Sequence, residues 1–361
     1  MASYRKTSTG WKATVSKRTN GKLSQTSKRG FRTKNEAIRW AAAIEAEIDG
    51  VKRNKRDVVF ADYFKDWYQT YKKPKISLAT LDRYKIAHKV IANYFKLKKL
   101  SSITRKDYQQ FINQFGATHA KATVLKTNNY VRACLKSAIA DDIILKDFTQ
   151  GVEIVHNPNA TIKVDYLSVE EIKVLLAECK SNLRTSFTSR YMIITAIYTG
   201  MRLGEIMALT WEDIDFDKKT ISINKTWDYA HNTGFKPTKN EASIRVIRVN
   251  HKLLNIISSL RENKTKMVFE NTYHKIPTPT AVNKALRELL NKTGINAKNF
   301  HFHSLRHSHV AYLLYQGVDL YAISKRLGHS DMTTTSKQYA YLIAELEQRE
   351  NNRISELMDQ L

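Results

Sequence analysis

Hydrophobic and polar positions change their period along the chain. In residues 1–50, Trp11, Ala13 and Val15 alternate with polar residues as on a half-buried strand. Asn20-Gly21 is a hairpin turn signal, and a third short strand is expected to end near Phe31. Thr33-Lys34-Asn35-Glu36 reads as a capping box. It opens a helix through Ala37, Trp40, Ala41, Ile44 and Ile48 that Gly50 should stop. From residue 57 the period becomes helical: Phe60, Tyr63, Phe64, Trp67 and Tyr71 form a stripe that suits a core better than a base-stacking platform. Pro74 breaks this helix, and further helices are predicted over residues 77–94, 105–115 and 121–144. Residues 149–165 lose all periodicity and carry Gly151 and Asn157-Pro158-Asn159, the marks of a linker.

The remainder mixes both periods. Ser168-Val169-Glu170-Glu171 caps a helix. Residues 189–198 give another that buries Met192, Ile193, Ala196 and Ile197 and ends at Thr199-Gly200. Arg202 begins the next, with Glu205 on the same face one turn later. Residues 212–249 read as a small antiparallel sheet: Ile214-Asp215-Phe216 and Thr220-Ile221-Ser222-Ile223 flank Asp217-Lys218-Lys219, and Ile244, Val246 and Val249 mark the returning strand. Residues 253–260 and 280–290 form amphipathic helices. Ser304 is expected to cap a helix through Val310, Leu313 and Leu314, closed by Gly317. Arg306 and His307 would then sit in its first turn, where free N–H groups and the helix dipole favour an anion. A helix over residues 319–327 ends at Gly328, which turns the chain to present His329. In residues 342–361, Leu342, Ile343, Leu346, Ile354, Leu357 and Met358 alternate with charges. That stripe either docks on its own domain or exchanges between protomers.

Charge narrows the class of partner. The 361 residues hold 60 Lys+Arg against 34 Asp+Glu, a formal net charge of +26, and the sequence pI is about 9.8. Between Tyr4 and Arg56 alone there are 15 basic and 4 acidic residues. Such a surplus draws a polyanion and makes its binding salt-sensitive. Lys52, Arg53, Lys55 and Arg56 form a basic linker, and Arg83, Lys126 and Arg132 lie on the polar sides of predicted helices. Cys134 and Cys179 are far apart and fit reduced packing residues of an intracellular protein. The N-terminus lacks an apolar h-region and no stretch is long enough to span a membrane. A cytoplasmic, nucleic-acid-associated protein with no membrane partner is therefore expected.

The chemistry concentrates near the end. His303, Arg306, His307, His329 and Tyr339 fall within 37 residues. A guanidinium reads phosphate as a planar fork, imidazoles move protons near neutral pH, and a tyrosine hydroxyl can attack phosphorus. No carboxylate cluster accompanies them, so a metal-dependent nuclease is not the natural reading and no metal or other cofactor is expected. One guanidinium rarely suffices for a phosphodiester; Tyr198-Thr199-Gly200-Met201-Arg202-Leu203-Gly204-Glu205 offers a second. His301, His309 and Gly317 need no functional account.

Arg202 with Glu205, His303-x-x-Arg306, Leu327-Gly328-His329 and Tyr339 resemble the tyrosine recombinases, or phage integrases. The resemblance spans about half the chain. It implies a multidomain, mainly α protein with small β-sheets. An N-terminal ββ(β)α arm-binding unit with its basic linker would cover residues 1–56, and a helical, SAM-like core-binding domain residues 57–150. A linker over 151–165 would lead to a mixed α+β catalytic domain over 166–361. For the first of these, a basic tail with some order is the plainer alternative. The resemblance further implies that Arg202 and Arg306 clamp the scissile phosphate and Tyr339 attacks it. His303 would assist as base, His329 would donate to the phosphate, and a lysine on the sheet hairpin would protonate the leaving 5′-oxygen. Lys239, four residues before Ser243-Ile244-Arg245, has the family spacing; Lys236 is the runner-up. Glu205 would orient its neighbours, and His307 fits packing or a supporting part equally. Implied partners are double-stranded DNA at core and arm attachment sites, a homotetramer on that DNA, and an excisionase or host DNA-bending protein. A type IB topoisomerase and a catalytically inactive DNA-binding protein are the alternatives.

Overall fold

The computed structural model describes residues 2–19, 22–53, 58–161, 166–231, 233–238, 240–330, 336, 339, 351, 354–356 and 358–360. The chain divides into two compact units, Met1–Thr161 and Ile162–Leu361.

The first unit opens with strands β1 (Ala2–Thr7), β2 (Gly10–Thr19) and β3 (Lys22–Phe31) in one antiparallel sheet, followed by helix α1 (Lys34–Arg53). The alternation on β2 places Ala13 and Val15 against Ala37 and Ala41 of α1, with Trp11, Phe31 and Trp40 around them. Thr33 Oγ1 accepts from Glu36 N at 3.2 Å, and the Glu36 carboxylate reaches back to Arg32 N at 3.0 Å. The hydroxyl thus satisfies one orphan donor of the helix start, and the carboxylate ties down the residue before the cap. Gly50 does not end α1, which continues to Arg53; an interior glycine costs about 1 kcal/mol but does not by itself stop a helix. Asn20 and Gly21 lie outside the described residues; the strands on either side pair Thr19 with Lys22. Lys52 and Arg53 are the last residues of α1, whereas Lys55 and Arg56 lie outside the described residues.

Helices α2 (Phe60–Tyr71), α3 (Leu78–Phe95), α4 (Arg105–Gly116) and α5 (Lys121–Ala140) follow. Their core is aromatic: Phe60, Phe64, Trp67, Tyr68, Tyr84, Phe95, Tyr108 and Phe111 are buried together. Tyr68 rather than Tyr71 carries the stripe inward, and Tyr71 stays half exposed. Ser77 caps α3, and Thr104 with Asp107 forms a capping box on α4. α5 ends at Ala140, four residues short of its expected end, where Asp142 takes a positive φ of 57°. Arg83, Lys126 and Arg132 are exposed on α3 and α5. Part of the expected linker is tied to neighbouring structure: Gln109 exchanges hydrogen bonds of 2.8 and 3.0 Å with the Glu153 backbone, and Asn157 N donates to His119 O.

The second unit is built around α7 (Ser189–Thr199), which is buried on nearly every side. It lies among α6 (Val169–Ser181), α9 (His251–Ser258), α10 (Pro279–Lys292) and α11 (Phe302–Tyr315). α8 (Leu203–Met207) follows α7. Strands β4 (Ile214–Asp215), β5 (Thr220–Ile223) and β8 (Arg245–Arg248) make one antiparallel sheet in that order; β6 (Lys225–Trp227) and β7 (Phe235–Pro237) form a separate hairpin. Ile247, opposite Ile221, is the inward residue of β8, while Ile244 and Val246 are exposed. α11 begins earlier than expected, with His301 at its N-cap and Ser304 one turn inside, so Arg306 lies in the second turn. α12 (Leu320–Leu327) is capped by Asp319 and closed by Gly328. Of the C-terminal stripe, Ile354 and Met358 are exposed, and Leu342, Ile343, Leu346 and Leu357 lie outside the described residues. Cys134 and Cys179 are buried free thiols; burial pushes Cys179 up to about 12 and Cys134 further in the same direction, which leaves both unreactive. No described helix is long and apolar enough to cross a membrane.

Candidate active site

The site starts where α7 stops. Gly200 ends that helix with a left-handed φ of 66°, and a Cβ there would lie 2.7 Å from the His309 ring. The turn aims the Gly200 carbonyl at Arg306, whose Nη1 donates to it at 2.7 Å. Two residues on, Arg202 occupies the N-cap of α8 in extended conformation.

Glu205, one turn into α8, is only 3% exposed and is gripped by two guanidiniums. Its Oε1 accepts from Arg202 Nη1 at 2.7 Å and Arg245 Nη1 at 3.3 Å. Its Oε2 accepts from Arg245 Nη2 at 2.9 Å and Arg202 N at 3.0 Å. Burial alone would raise this carboxyl, but the Arg245 hydrogen bonds and the charges of Arg245 and Arg202 carry it below its ordinary value. This is a buried charge cluster, not a surface ion pair. Arg245 also donates through Nε to Arg326 O at 2.7 Å and through Nη1 to Ser243 O at 2.8 Å, joining β8 to α12. In the sequence, Ser243-Ile244-Arg245 is the signal for this further cation, although Arg245 serves there only to set the spacing of the lysine.

Arg306 is 2% exposed. Besides Gly200 O, its Nη2 donates to Leu327 O at 2.8 Å and to His329 Nε2 at 2.9 Å. A guanidinium cannot accept, so His329 Nε2 is the acceptor and the neutral ring carries its proton on Nδ1. Gly328 makes this possible: its φ is 69°, and a Cβ would meet Ala242 O at 2.9 Å and Arg245 Nη1 at 3.0 Å. The anion site expected at the start of α11 is instead filled by protein groups. Phe302 N donates to Asn283 Oδ1, His301 N to Ser304 Oγ and Ser304 N to His301 O. Positive charge here comes from the guanidiniums and not from the helix end.

His303 and His307 stand one turn apart on α11, their rings 5.1 Å apart and nearly perpendicular. His303 is exposed, His307 is 3% exposed, and the His307 ring lies 5.3 Å from that of Tyr339. Tyr339 is fully buried and packs with Val310, Ile323 and Leu327. Arg202, Glu205 and Arg245 therefore form one bonded cluster and Arg306 with His329 a second, close enough for the charges of each to act on the other. His303 and His307, on the same helix as Arg306, form a row of rings with Tyr339. His309 is a satisfied structural histidine: its Nδ1 donates to Ile197 O at 2.9 Å, and Arg326 Nε donates to its Nε2 at 3.2 Å. Lys236 on β7 donates to the buried Asp228 at 3.0 Å. Lys239 and Tyr341 lie outside the described residues. Among the described residues no cluster of three or more His, Cys, Asp or Glu is placed to hold a metal ion.

Loss of hydration, then the nearby cations, hold His303, His307 and His329 each near a pKa of about 4; His309, deeper still, is held at about 3. Burial first, then Arg202, lowers Arg306 to about 9, which leaves it charged at neutral pH. The folded imidazole values lie below that of a free imidazole, near 6.5. The unfolded chain therefore binds the extra protons as pH falls below about 6.5, and stability complete above that pH is lost as it falls towards 4. Melting at pH 5 should lie below that at pH 7.5 by about 1 kcal/mol or more, roughly 2–4 °C. Equal midpoints would mean that these rings titrate normally.

The profile of the phage integrase family matches residues 165–345, just over half of the chain. The phage integrase N-terminal SAM-like domain matches residues 59–115, and an arm DNA-binding domain residues 2–48. The chain is 25% identical over 335 residues to an integrase of a Staphylococcus phage, covering 84% of this chain and 94% of the relative. It is 25% identical over 370 positions to a XerC-like tyrosine recombinase of Caldanaerobacter subterraneus, covering 91% of each. The Tn1549 transposon integrase bound to circular-intermediate DNA shares the fold with a TM-score of 0.67 at 16% identity, over 81% of this chain and 99% of that one. A lambda integrase dimer on a core site does so with a TM-score of 0.62 at 16% identity, over 93% of each chain. A protein built this way is a tyrosine recombinase of the integrase type. The chain belongs to the phage integrase family.

Proposed function

We propose that this protein is a site-specific DNA recombinase that cuts and rejoins duplex DNA through a 3′-phosphotyrosyl intermediate and a Holliday junction, integrating or excising a phage or mobile element. The observation that carries the reading is the junction of Arg306 with His329 and Gly200, two residues from Arg202 and beside the row that ends at Tyr339. Arg202 and Arg306 clamp the non-bridging oxygens and offset charge in the transition state. Arg202 keeps 31% of its side chain exposed, as a group that must still meet phosphate requires. Tyr339 attacks phosphorus, His303 serves as base on its side, His329 donates to the phosphate, and Lys239 protonates the departing 5′-oxygen. Bond energy stays in the phosphotyrosine, so the residues in named roles need no ATP, metal or other cofactor.

The substrates are core and arm attachment sites, held by a homotetramer in the cytoplasm of a bacterial host, with an excisionase or host DNA-bending protein setting direction. Arg83, Lys126 and Arg132 contact the core duplex, and Lys52, Arg53, Lys55 and Arg56 the backbone between the two kinds of site. A type IB topoisomerase would use the same tyrosine chemistry without synapsis; the arm-binding domain favours the recombinase. Covalent capture by a nicked suicide duplex separates a live enzyme from an inactive DNA-binding protein. A two-site assay then separates recombinase from topoisomerase.

Two expected outcomes sharpen this. Lys239→Ala should slow cleavage by about 10²–10⁴-fold, and a 5′-bridging phosphorothiolate should restore the rate because a thiolate leaves without a proton. Asp228 already holds Lys236, which favours Lys239; rescue confined to Lys236→Ala would reverse the assignment. Deleting residues 1–56 should spare core-site binding and remove arm-site footprints, with arm binding falling steeply in salt. Identical footprints on a complete attachment site would leave the segment no arm-binding role.

A further inference from the structure

The two charged clusters of the site are joined through Arg326, near the end of α12. Its carbonyl accepts from Arg245 Nε at 2.7 Å, and Arg245 grips Glu205. Leu327, next in the chain, offers its carbonyl to Arg306 at 2.8 Å, and His329 stands two residues further on. The Arg326 guanidinium is spent on neighbouring elements. Nη2 donates to Tyr198 O at 3.2 Å, Nη1 to Arg248 O at 2.9 Å and Nε to His309 Nε2 at 3.2 Å. These acceptors lie in the last turn of α7, at the end of β8 and on α11, three residues beyond Arg306. α7 runs into Gly200 and Arg202, β8 begins at Arg245, α11 carries His303 and Arg306, and α12 leads to His329. One planar fork thus sets against one another four elements that each bear on the site. The fit there is tight: a Cβ on Gly200 would lie 2.7 Å from the His309 ring and 3.0 Å from Leu327 Cδ2.

We propose that Arg326 is a positioning residue for DNA cleavage: its guanidinium locks the end of α12 to α7, β8 and α11, and so fixes the Arg306 fork and His329 at the scissile phosphate. The inference rests on the recombinase reading. Arg306 Nη1 reaches Gly200 O at the end of α7, while its Nη2 reaches Leu327 O and His329 Nε2 at the end of α12. Of the five N–H donors of a guanidinium, protein acceptors thus take three, and two are left to meet phosphate. The direction of those two follows from the relative placing of two helix ends. α12 is only eight residues long, and a helix that short has little stability of its own. Arg326 supplies the missing constraint beside the same two ends. A lysine could not replace it, because an ammonium is a single point and lacks the planar fork that meets three separate acceptors. His309 takes part by staying neutral: Nδ1 donates to Ile197 O at 2.9 Å, which leaves Nε2 to accept from Arg326. Without the fork the end of α12 is free to shift, and a misplacement of about 1 Å at reacting groups costs roughly 10²-fold in rate.

The test compares Arg326→Met with Lys325→Met in the full chain. Both remove one positive charge from the last turn of α12, but Lys325 is exposed. The first readout is long-range proton–nitrogen NMR of the histidine rings, with the His329 signals assigned by their loss in His329→Gln. In the wild type His329 should show an acceptor Nε2 and a protonated Nδ1, as its bond from Arg306 requires. In Arg326→Met part of the population should move the proton to Nε2. The second readout is single-turnover cleavage of a nicked suicide duplex that carries the junction sequence beside the gene in its host genome. Arg326→Met should cleave roughly 10²-fold more slowly than the wild type, with DNA affinity no lower than that of Lys325→Met. Lys325→Met should keep the wild-type rate and the wild-type ring signals. A wild-type rate in Arg326→Met, an equal loss in both variants, or an unchanged His329 ring in folded Arg326→Met each overturns the proposal. Where Arg326→Met does not fold, Arg326→Lys replaces it, and wild-type rate or ring signals in that variant overturn the proposal equally. If the wild type itself captures no DNA, it is the recombinase reading that fails, and the ring signals still decide whether Arg326 places His329.

Discussion

Tyr339→Phe should abolish the covalent protein–DNA adduct while DNA binding stays within about twofold of the wild type. The substitution removes one oxygen from a fully buried ring and keeps the ring packed on Val310, Ile323 and Leu327. Loss of a buried hydroxyl shifts stability by about 1 kcal/mol, which a folded unit of this size tolerates. Rate, by contrast, cannot be recovered by the remaining ring, which without its hydroxyl carries no nucleophile. Tyr341→Phe is the control: on a helix the two side chains point about 200° apart, so only one can reach a given phosphate. Denaturing gels of a nicked duplex with each variant decide between them. An adduct retained by Tyr339→Phe and lost by Tyr341→Phe would move the nucleophile to residue 341.

Short-range spacing made much of the site legible. His303 and Arg306 are three residues apart on one helix, and Leu327-Gly328-His329 is a helix end whose glycine announces the turn. What sequence could not supply is contact between distant segments. Arg306 reaches a carbonyl 106 residues away, and Arg245 a carboxylate 40 residues away. Nothing local marks either partner. The same limit appears inside elements. On β8, four residues long, Val246 and Ile247 are equally apolar, and only pairing with Ile221 decides which turns inward. On α2, Tyr68 and Tyr71 both continue an apolar stripe, and burial of Phe64 and Trp67 selects Tyr68. Ser304 looked like a cap because serine commonly is one. The chain begins its helix earlier because Asn283 on α10 accepts from Phe302 N.

Glu205→Gln should do two separable kinds of damage. The carboxylate is the shared counter-charge of Arg202 and Arg245, and Arg245 is itself only 7% exposed. Removing the negative member of a buried pair leaves a buried cation uncompensated, a loss of roughly 3–5 kcal/mol. Arg202 also loses the bond that fixes its fork, so cleavage should fall by roughly 10²–10³-fold even where the protein is folded. Arg245→Met added to Glu205→Gln removes the stranded charge. The double variant should therefore be more stable than the sum of the two singles predicts, by about 1–3 kcal/mol. Its activity should stay low, because Arg202 still lacks an anchor. Chemical denaturation of the four proteins in the cycle measures the first effect and suicide-substrate cleavage the second. Recovery of both together would mean that Glu205 acts only through folding. Wild-type stability in Glu205→Gln would mean that the buried cluster is held by the backbone acceptors of Arg245, Arg326 O and Ser243 O, and not by the carboxylate.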